Sequence, residues 1–220
     1  MNKVPEQAMV APDRSQHWDH VYNTSKPDAV GWYQPAPTTS LELLDMFDIP
    51  LSARIIDIGG GHSLFTDHLL EKGFKDLTVL DISRVGLQLA RARIGDRPEV
   101  TWICSDITDF APDVNYRVWH DRAVFHFLNA RSDQEAYLEV ARRAVTPGGL
   151  LVLGTFADDG PEQCSGLPVT RYSELALRKR FAPFFKQVHH RRVEHMTPFG
   201  TLQKYVFCVF RRLDHVFDST

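Results

Sequence analysis

The sequence predicts an α/β fold: a doubly wound, mostly parallel sheet of seven strands that finishes in an antiparallel hairpin. Three observations predict it. Short runs in which nearly every residue is apolar recur along the chain, as strands do when both sheet faces are covered. Each is followed by a helix-periodic segment over a short link, the alternation of right-handed βαβ units. Two longer strand-like runs then flank Thr197-Pro198-Phe199-Gly200, and a link that short joins strands antiparallel.

Taken in order, residues 1–14 hold two prolines and little periodicity and are expected to form a flexible arm. Ser15 is a cap for a helix through QHWDHVYNT, where Trp18, Val21 and Tyr22 recur at helical spacing. A loop with Trp32 and Tyr33 leads to SLELLDMFDI, a helix capped by Thr38 or Thr39. The strands ARIIDIG, DLTVLDIS, VTWICSDI, YRVWHDRAVFHFL (in its first part) and LLVLGTFA follow. Between them lie the helices LFTDHLLEKG, RVGLQLARARIG and SDQEAYLEVARRAV, the last stopped by TPGG. RYSELALRKRFAPFF is one more helix, and KQVHHRRVEHM and LQKYVFCVFRR form the hairpin. The expected organisation is one domain over 15–212, with a helical lid over 15–50 and a tail over 213–220.

Composition narrows the function. The chain has 220 residues, 43% hydrophobic and 24% charged, with a net charge of −3, so no basic field recruits nucleic acid or an anionic membrane. Three scattered cysteines suit reduced thiols better than a disulfide framework. No apolar run approaches the roughly 20 residues of a membrane span, and the first residues lack a secretory apolar core. A cytoplasmic location is the expectation.

The stretch RIIDIGGGHS runs a strand into a glycine loop. A dinucleotide fingerprint needs G-x-G-x-x-G; Gly59 and Gly61 supply two positions, but Leu64 stands at the third. A P-loop needs a lysine, and GGGHSLFT has none. Asp57, just before the glycines, repels phosphate and favours a cation. Asp81 follows Gly59 by about the 20 residues that place an acid on a ribose. Asp106, after the third strand, can accept from an adenine amine while Ile82 and Ile107 cover the ring faces. The implied ligand is an adenosine with a cationic, zwitterionic tail and no phosphate, which fits S-adenosylmethionine.

With those residues placed, the chain resembles the class I S-adenosylmethionine-dependent methyltransferases, whose fold is Rossmann-like. IIDIGGGHS, LTVLDIS, ICSDIT, YRVWHDRAVFHFL and TPGGLLVLGTFA match in order and spacing, and the resemblance covers roughly residues 15 to 212. It implies that Asp57, Gly59, Gly60 and Gly61 hold the methionine part, Asp81 the ribose, and Asp106 with Ile107 the adenine. It further implies that Asp121 closes the cofactor site at the end of the fourth strand. HWDHVYNTSKPDAVGWYQ resembles the lid of a narrower group that modifies lysines of elongation factor and citrate synthase. Those relatives carry Asp-Lys-Gly-Thr after the fourth strand, whereas this chain has Asp121-Arg122-Ala123-Val124. DDGPEQCSGLPVTRYS resembles a substrate-side loop of bacterial members.

The remaining candidates follow from position. His126 stands just after the fourth strand and is either a general base or a histidine packed between Phe125 and Phe127 that donates to a backbone carbonyl; Asp121 and Arg122 lie where substrate meets cofactor. Arg122 and Arg171 are open to two readings, an anionic substrate or a structural salt bridge. Trp18, Tyr22, Trp32 and Tyr33 are either core or an apolar lid; Trp32 and Tyr33 are assigned to the cofactor. Cys164 is either a substrate contact or, as for most lone exposed thiols, incidental; His62, beside the glycines, is a candidate for cofactor contact, and His120 is a neighbour of the site. His189, His190 and His195 are read as solvated strand residues with no metal geometry. The expected activity is methyl transfer to a small-molecule acceptor, giving S-adenosylhomocysteine. Transfer to a protein lysine and non-catalytic cofactor binding are the alternatives.

Overall fold

The structure is a computed structural model that describes residues 14–214. The arm expected over 1–14 and the tail over 213–220 lie outside the described residues except at Arg14, Leu213 and Asp214. The parallel strands are β1 (Arg54–Ile58), β2 (Asp76–Asp81), β3 (Val100–Cys104), β4 (Tyr116–Arg122) and β5 (Val145–Phe156). A two-stranded ribbon, β6 (Gln163–Cys164) and β7 (Leu167–Pro168), precedes the hairpin of β8 (Phe185–Met196) and β9 (Leu202–Arg212). The helices are α1 (Arg14–Thr24), α2 (Thr38–Asp45), α3 (Phe65–Glu71), α4 (Arg84–Ile94), α5 (Arg131–Ala144) and α6 (Glu174–Phe181).

The seven-stranded sheet has the order β3-β2-β1-β4-β5-β9-β8, and β9 pairs antiparallel with both its neighbours. Strand order reverses between β1 and β4, where the chain winds first to one side of the sheet and then to the other. In open α/β sheets that reversal opens a crevice at the carboxyl ends of the strands.

Alternation along the strands builds two cores. Ile56, Ile58 and Leu80 face one side and pack with Tyr137 and Leu138 of α5 and Leu177 and Phe181 of α6. Ile55, Leu77 and Val79 face the other, with Leu43 and Leu44 of α2, Phe65 and Leu69 of α3 and Leu87 of α4. Both faces being covered is why these strands read as continuous apolar runs.

Four local expectations are corrected. Thr38 and Thr39 do not cap α2; Pro37 holds that position without a side-chain bond. Ser15 lies inside α1 rather than before it. TPGG does not form a separate stop, because α5 ends at Ala144 and β5 already includes those residues, with a register shift opposite Tyr116 and Val118. The loop after β5 folds into the β6–β7 ribbon, whose strands are too short to leave a periodic trace.

Candidate functional site

The ends of β1, β2 and β4 and the turn after β3 surround one pocket. Its floor is Ile58, Gly59, Leu80, Asp81 and Ile82, with Ser105, Asp106 and Ile107 at one end. Trp18, Tyr22 and Trp32 roof it, and Arg122, Ala123, Val124, Phe127 and Cys164 complete the other end. It encloses about 770 Å³ of empty space, its mouth included, within the range of small-molecule clefts.

The glycine loop is shaped by backbone that L side chains resist. Gly59 has φ +65° and Gly61 φ +32°, in the left-handed region. A Cβ on Gly59 would collide with Val124, and one on Gly61 with the Tyr22 hydroxyl. The amides of Gly59 and Gly60 both donate to the Leu80 carbonyl, at 2.7 and 3.2 Å, which fixes the loop to the end of β2.

Behind the loop stands a buried polar chain. Asp57 Oδ1 lies 2.7 Å from His120 Nδ1, and His120 Nε2 lies 2.8 Å from Ser40 Oγ. Phe65 stacks on the imidazole at 4.0 Å between ring centres. With Nδ1 protonated, the ring donates to Asp57 and its Nε2 accepts the Ser40 hydroxyl proton. Asp57 Oδ2 is buried with no partner beside Gly60; Gly59 lines the pocket, whereas Asp57, Gly60 and Gly61 stand behind its wall.

Asp81 Oδ1 accepts from the Ser83 amide at 2.7 Å. Burial pushes its carboxyl up to about 7, Asp57 and Asp19 adding to the effect against the Ser83 and Gly61 amides. Asp106 is half committed: Oδ1 accepts from the Thr108 amide and hydroxyl at 2.8 and 2.7 Å, and Oδ2 stands 3.7 Å from Arg14 Nη1. It therefore caps a turn and faces the pocket at once. Ile82 and Ile107 line the same end.

The roof is an aromatic cluster. Trp18 meets Trp32 at 5.8 Å and Phe127 at 5.1 Å between ring centres, and Tyr22 meets Trp32 at 6.3 Å. α1 is held down by Asp19, whose Oδ1 accepts from Ser83 Oγ at 2.5 Å and from the Val85 amide at 3.2 Å. An acid from one helix thereby docks on the positive end of another.

Several expected site residues stand elsewhere. His126 is fully buried; its Nδ1 accepts from the Phe156 amide at 3.3 Å, and Phe127 and Phe156 pack on the ring. Burial, then the Arg122 charge, lower it to about 3, so it is neutral and out of contact with the pocket. Asp121 is also fully buried and accepts from the Val124 and Phe125 amides and from the Tyr137 hydroxyl, at 2.8, 3.2 and 2.6 Å. It braces the turn after β4 and does not line the pocket. Tyr33 lines a smaller neighbouring cavity with His62 instead. Arg171 makes the structural pair, 2.9 Å from Glu162.

Other residues are more involved than expected. Cys164 is buried and lines the pocket, carried there by the β6–β7 ribbon. His195 is buried and bonds to the Gly31 carbonyl at 2.9 Å, tying β8 to the loop before α2. Among the described residues no three His, Cys, Asp or Glu side chains gather as a metal site. No described helix is long and apolar enough to cross a membrane.

Residues 55–149 match the family described as a methyltransferase domain. That segment, a little under half of the chain, runs from β1 to the start of β5 and includes the glycine loop, Asp57, Asp81 and Asp106. Among curated methyltransferases, the mouse (Mus musculus) "eEF1A lysine and N-terminal methyltransferase" is 24% identical over 64% of this chain and 20% of its own length. The "Malonyl-[acyl-carrier protein] O-methyltransferase 2" of Ilyobacter polytropus is 26% identical over 48% of this chain and 40% of its own length. The chain thus spans well under half of each of these two relatives. The N-methyltransferase NodS of Bradyrhizobium japonicum, solved with S-adenosylhomocysteine, shares the fold with a TM-score of 0.70. Its identity is 17%, over 91% of this chain and 98% of that one.

Proposed function

We propose that the chain transfers a methyl group from S-adenosylmethionine to a small-molecule acceptor by in-line displacement. The observation that carries this reading is one continuous pocket that joins the acid-bearing strand ends to an aromatic-roofed chamber. When bound, the cofactor supplies a methyl group already activated by its sulfonium charge. The chain's own work is then to bind, orient and exclude water.

In this reading Asp81 accepts the ribose hydroxyls, and Asp106 Oδ2, beside Arg14, faces the adenine amine between Ile82 and Ile107. Asp57 Oδ2 and the Gly59-Gly60-Gly61 turn take the methionine part; the unpartnered oxygen supports that fit. Trp32 with Trp18 and Tyr22 forms the cover, the latter two replacing Tyr33. The catalytic set is reduced to Arg122, with Asp121 and His126 as its structural supports.

A protein lysine is the second reading, favoured by the mouse relative's stated activity. The guanidinium of Arg122 in the acceptor end disfavours it, since it repels an approaching ammonium.

Labelled cofactor supplied with a metabolite extract and, separately, with lysate proteins separates the readings: label is expected in the small-molecule pool. S-adenosylhomocysteine at 100 times its Kd is expected to stabilise the fold by about 2.7 kcal/mol, a Tm rise on the order of 5–10 °C. Asp81→Ala is expected to abolish that rise. Equal stabilisation by NAD, or cofactor binding with label in neither pool, would overturn the reading.

A further inference from the structure

Two arginines line the pocket, and they differ in their company. Arg14 is paired with Asp133 at 2.8 Å and faces Asp106 at 3.7 Å. Arg122 Nη1 donates to the Trp32 carbonyl at 2.9 Å, and its guanidinium carbon lies 5.3 Å from the Tyr205 ring centre. Its Nη2 is buried without a hydrogen-bond partner, and no ion pair to a carboxylate is found for it among the described residues. A half-buried guanidinium with one buried nitrogen unpaired and no counter-charge is costly, and a ligand of opposite charge offsets that cost. Trp18, Trp32, Phe127 and Cys164 supply the remaining apolar surface of that end.

Resting on the methyltransferase reading, we propose that Arg122 anchors the carboxylate of the methyl acceptor, an anionic aromatic or apolar small molecule. The methionine carboxylate of the cofactor offers the same chemistry. The acids and glycines proposed for the cofactor's polar groups, however, lie on β1, β2 and the turns after β1 and β3, whereas Arg122 lies beyond them, against the Trp32 carbonyl of the roof and the Tyr205 ring of β9. That placement favours the acceptor.

The test is calorimetric titration, at saturating S-adenosylhomocysteine, with benzoate, salicylate, 4-hydroxybenzoate and phenylacetate and with the amide of each. At least one acid is expected to bind wild type 10-fold or more tightly than its amide. The preference is expected to vanish in Arg122→Met and to persist in Arg122→Lys. Arg122→Gln carries the same expectation as Arg122→Met and replaces it if that variant fails to fold. No acid preference in wild type, or an undiminished preference in the uncharged variants, overturns the proposal. A 10-fold loss of S-adenosylhomocysteine affinity in Arg122→Met, with 5′-methylthioadenosine binding unchanged, assigns the anchor to the cofactor and overturns it too. Failure of wild type to bind S-adenosylhomocysteine removes the methyltransferase reading itself, an outcome distinct from the others.

Discussion

At the scale of single residues, the acids at the strand ends are separated by their surroundings. Asp81 is raised to about 7 by burial, so near neutral pH a fraction of the protein carries it protonated. A raised carboxyl contributes stability that is full below its unfolded value and is lost as pH rises through 7. Ribose hydroxyls donate to the ionised form, so cofactor binding should draw the carboxyl down and release a proton. S-adenosylhomocysteine affinity is therefore expected to rise with pH between 5.5 and 7, by at most about 10-fold per unit, and to level off above 7. Calorimetry in buffers of different ionisation heat checks it; a flat profile, or affinity falling with pH, contradicts the ribose assignment. His126 is the opposite case. Truncating a buried ring and orphaning the Phe156 amide costs about 3 kcal/mol, so His126→Ala should lower Tm markedly. Methyl transfer per folded molecule should stay within a few-fold of wild type, and a 100-fold loss with the fold intact would restore His126 as a proton acceptor.

At the scale of elements, α1 is held over the pocket by one polar contact as much as by its aromatic rings. Ser83 caps α4, accepting from the Gly86 amide at 3.0 Å, and its own hydroxyl donates to Asp19 of α1. Asp19→Ala removes an acceptor from two donors at a helix terminus, a loss of about 1–2 kcal/mol. Because Trp18 and Tyr22 ride on the same helix, the variant should also bind S-adenosylhomocysteine more weakly, by severalfold. Amide exchange in α1 should quicken while that in β4 and β5 stays slow; unchanged exchange in α1 would show that the aromatic cluster alone fixes the lid. Legibility differed between elements for a physical reason. β1, β2 and β5 announced themselves because a strand covered on both faces is apolar throughout. The β6–β7 ribbon left no such trace, since two residues per strand carry no period, and Cys164 was accordingly read as exposed.

At the scale of the molecule, the polar chain Ser40–His120–Asp57 spans α2, β4 and β1 across the sheet reversal. Ser40→Ala leaves an imidazole nitrogen buried and unpaired, and is expected to cost about 1–3 kcal/mol. The Asp57 position depends on the same contact, so cofactor affinity should fall with stability; denaturant unfolding and titration of one variant measure both. A stability loss below a few tenths of a kcal/mol would mean the hydroxyl contributes nothing net.

By itself the sequence determined the strand-and-helix order, the antiparallel finish, and the kind of ligand the glycine loop suits. Those rest on local signals: apolar periodicity, glycines free of a Cβ, and acids at the ends of strands. Only the tertiary structure decided which titratable groups face the pocket. His126 and Asp121 turn inward because the turn after β4 needs acceptors for its own amides and the core needs a ring. Arg122, one residue beyond Asp121 in the chain, points the other way because successive residues of a strand alternate faces. Its exposure to ligand rests on Trp32, Tyr205 and Cys164, which come from distant parts of the chain and meet only when the sheet is complete.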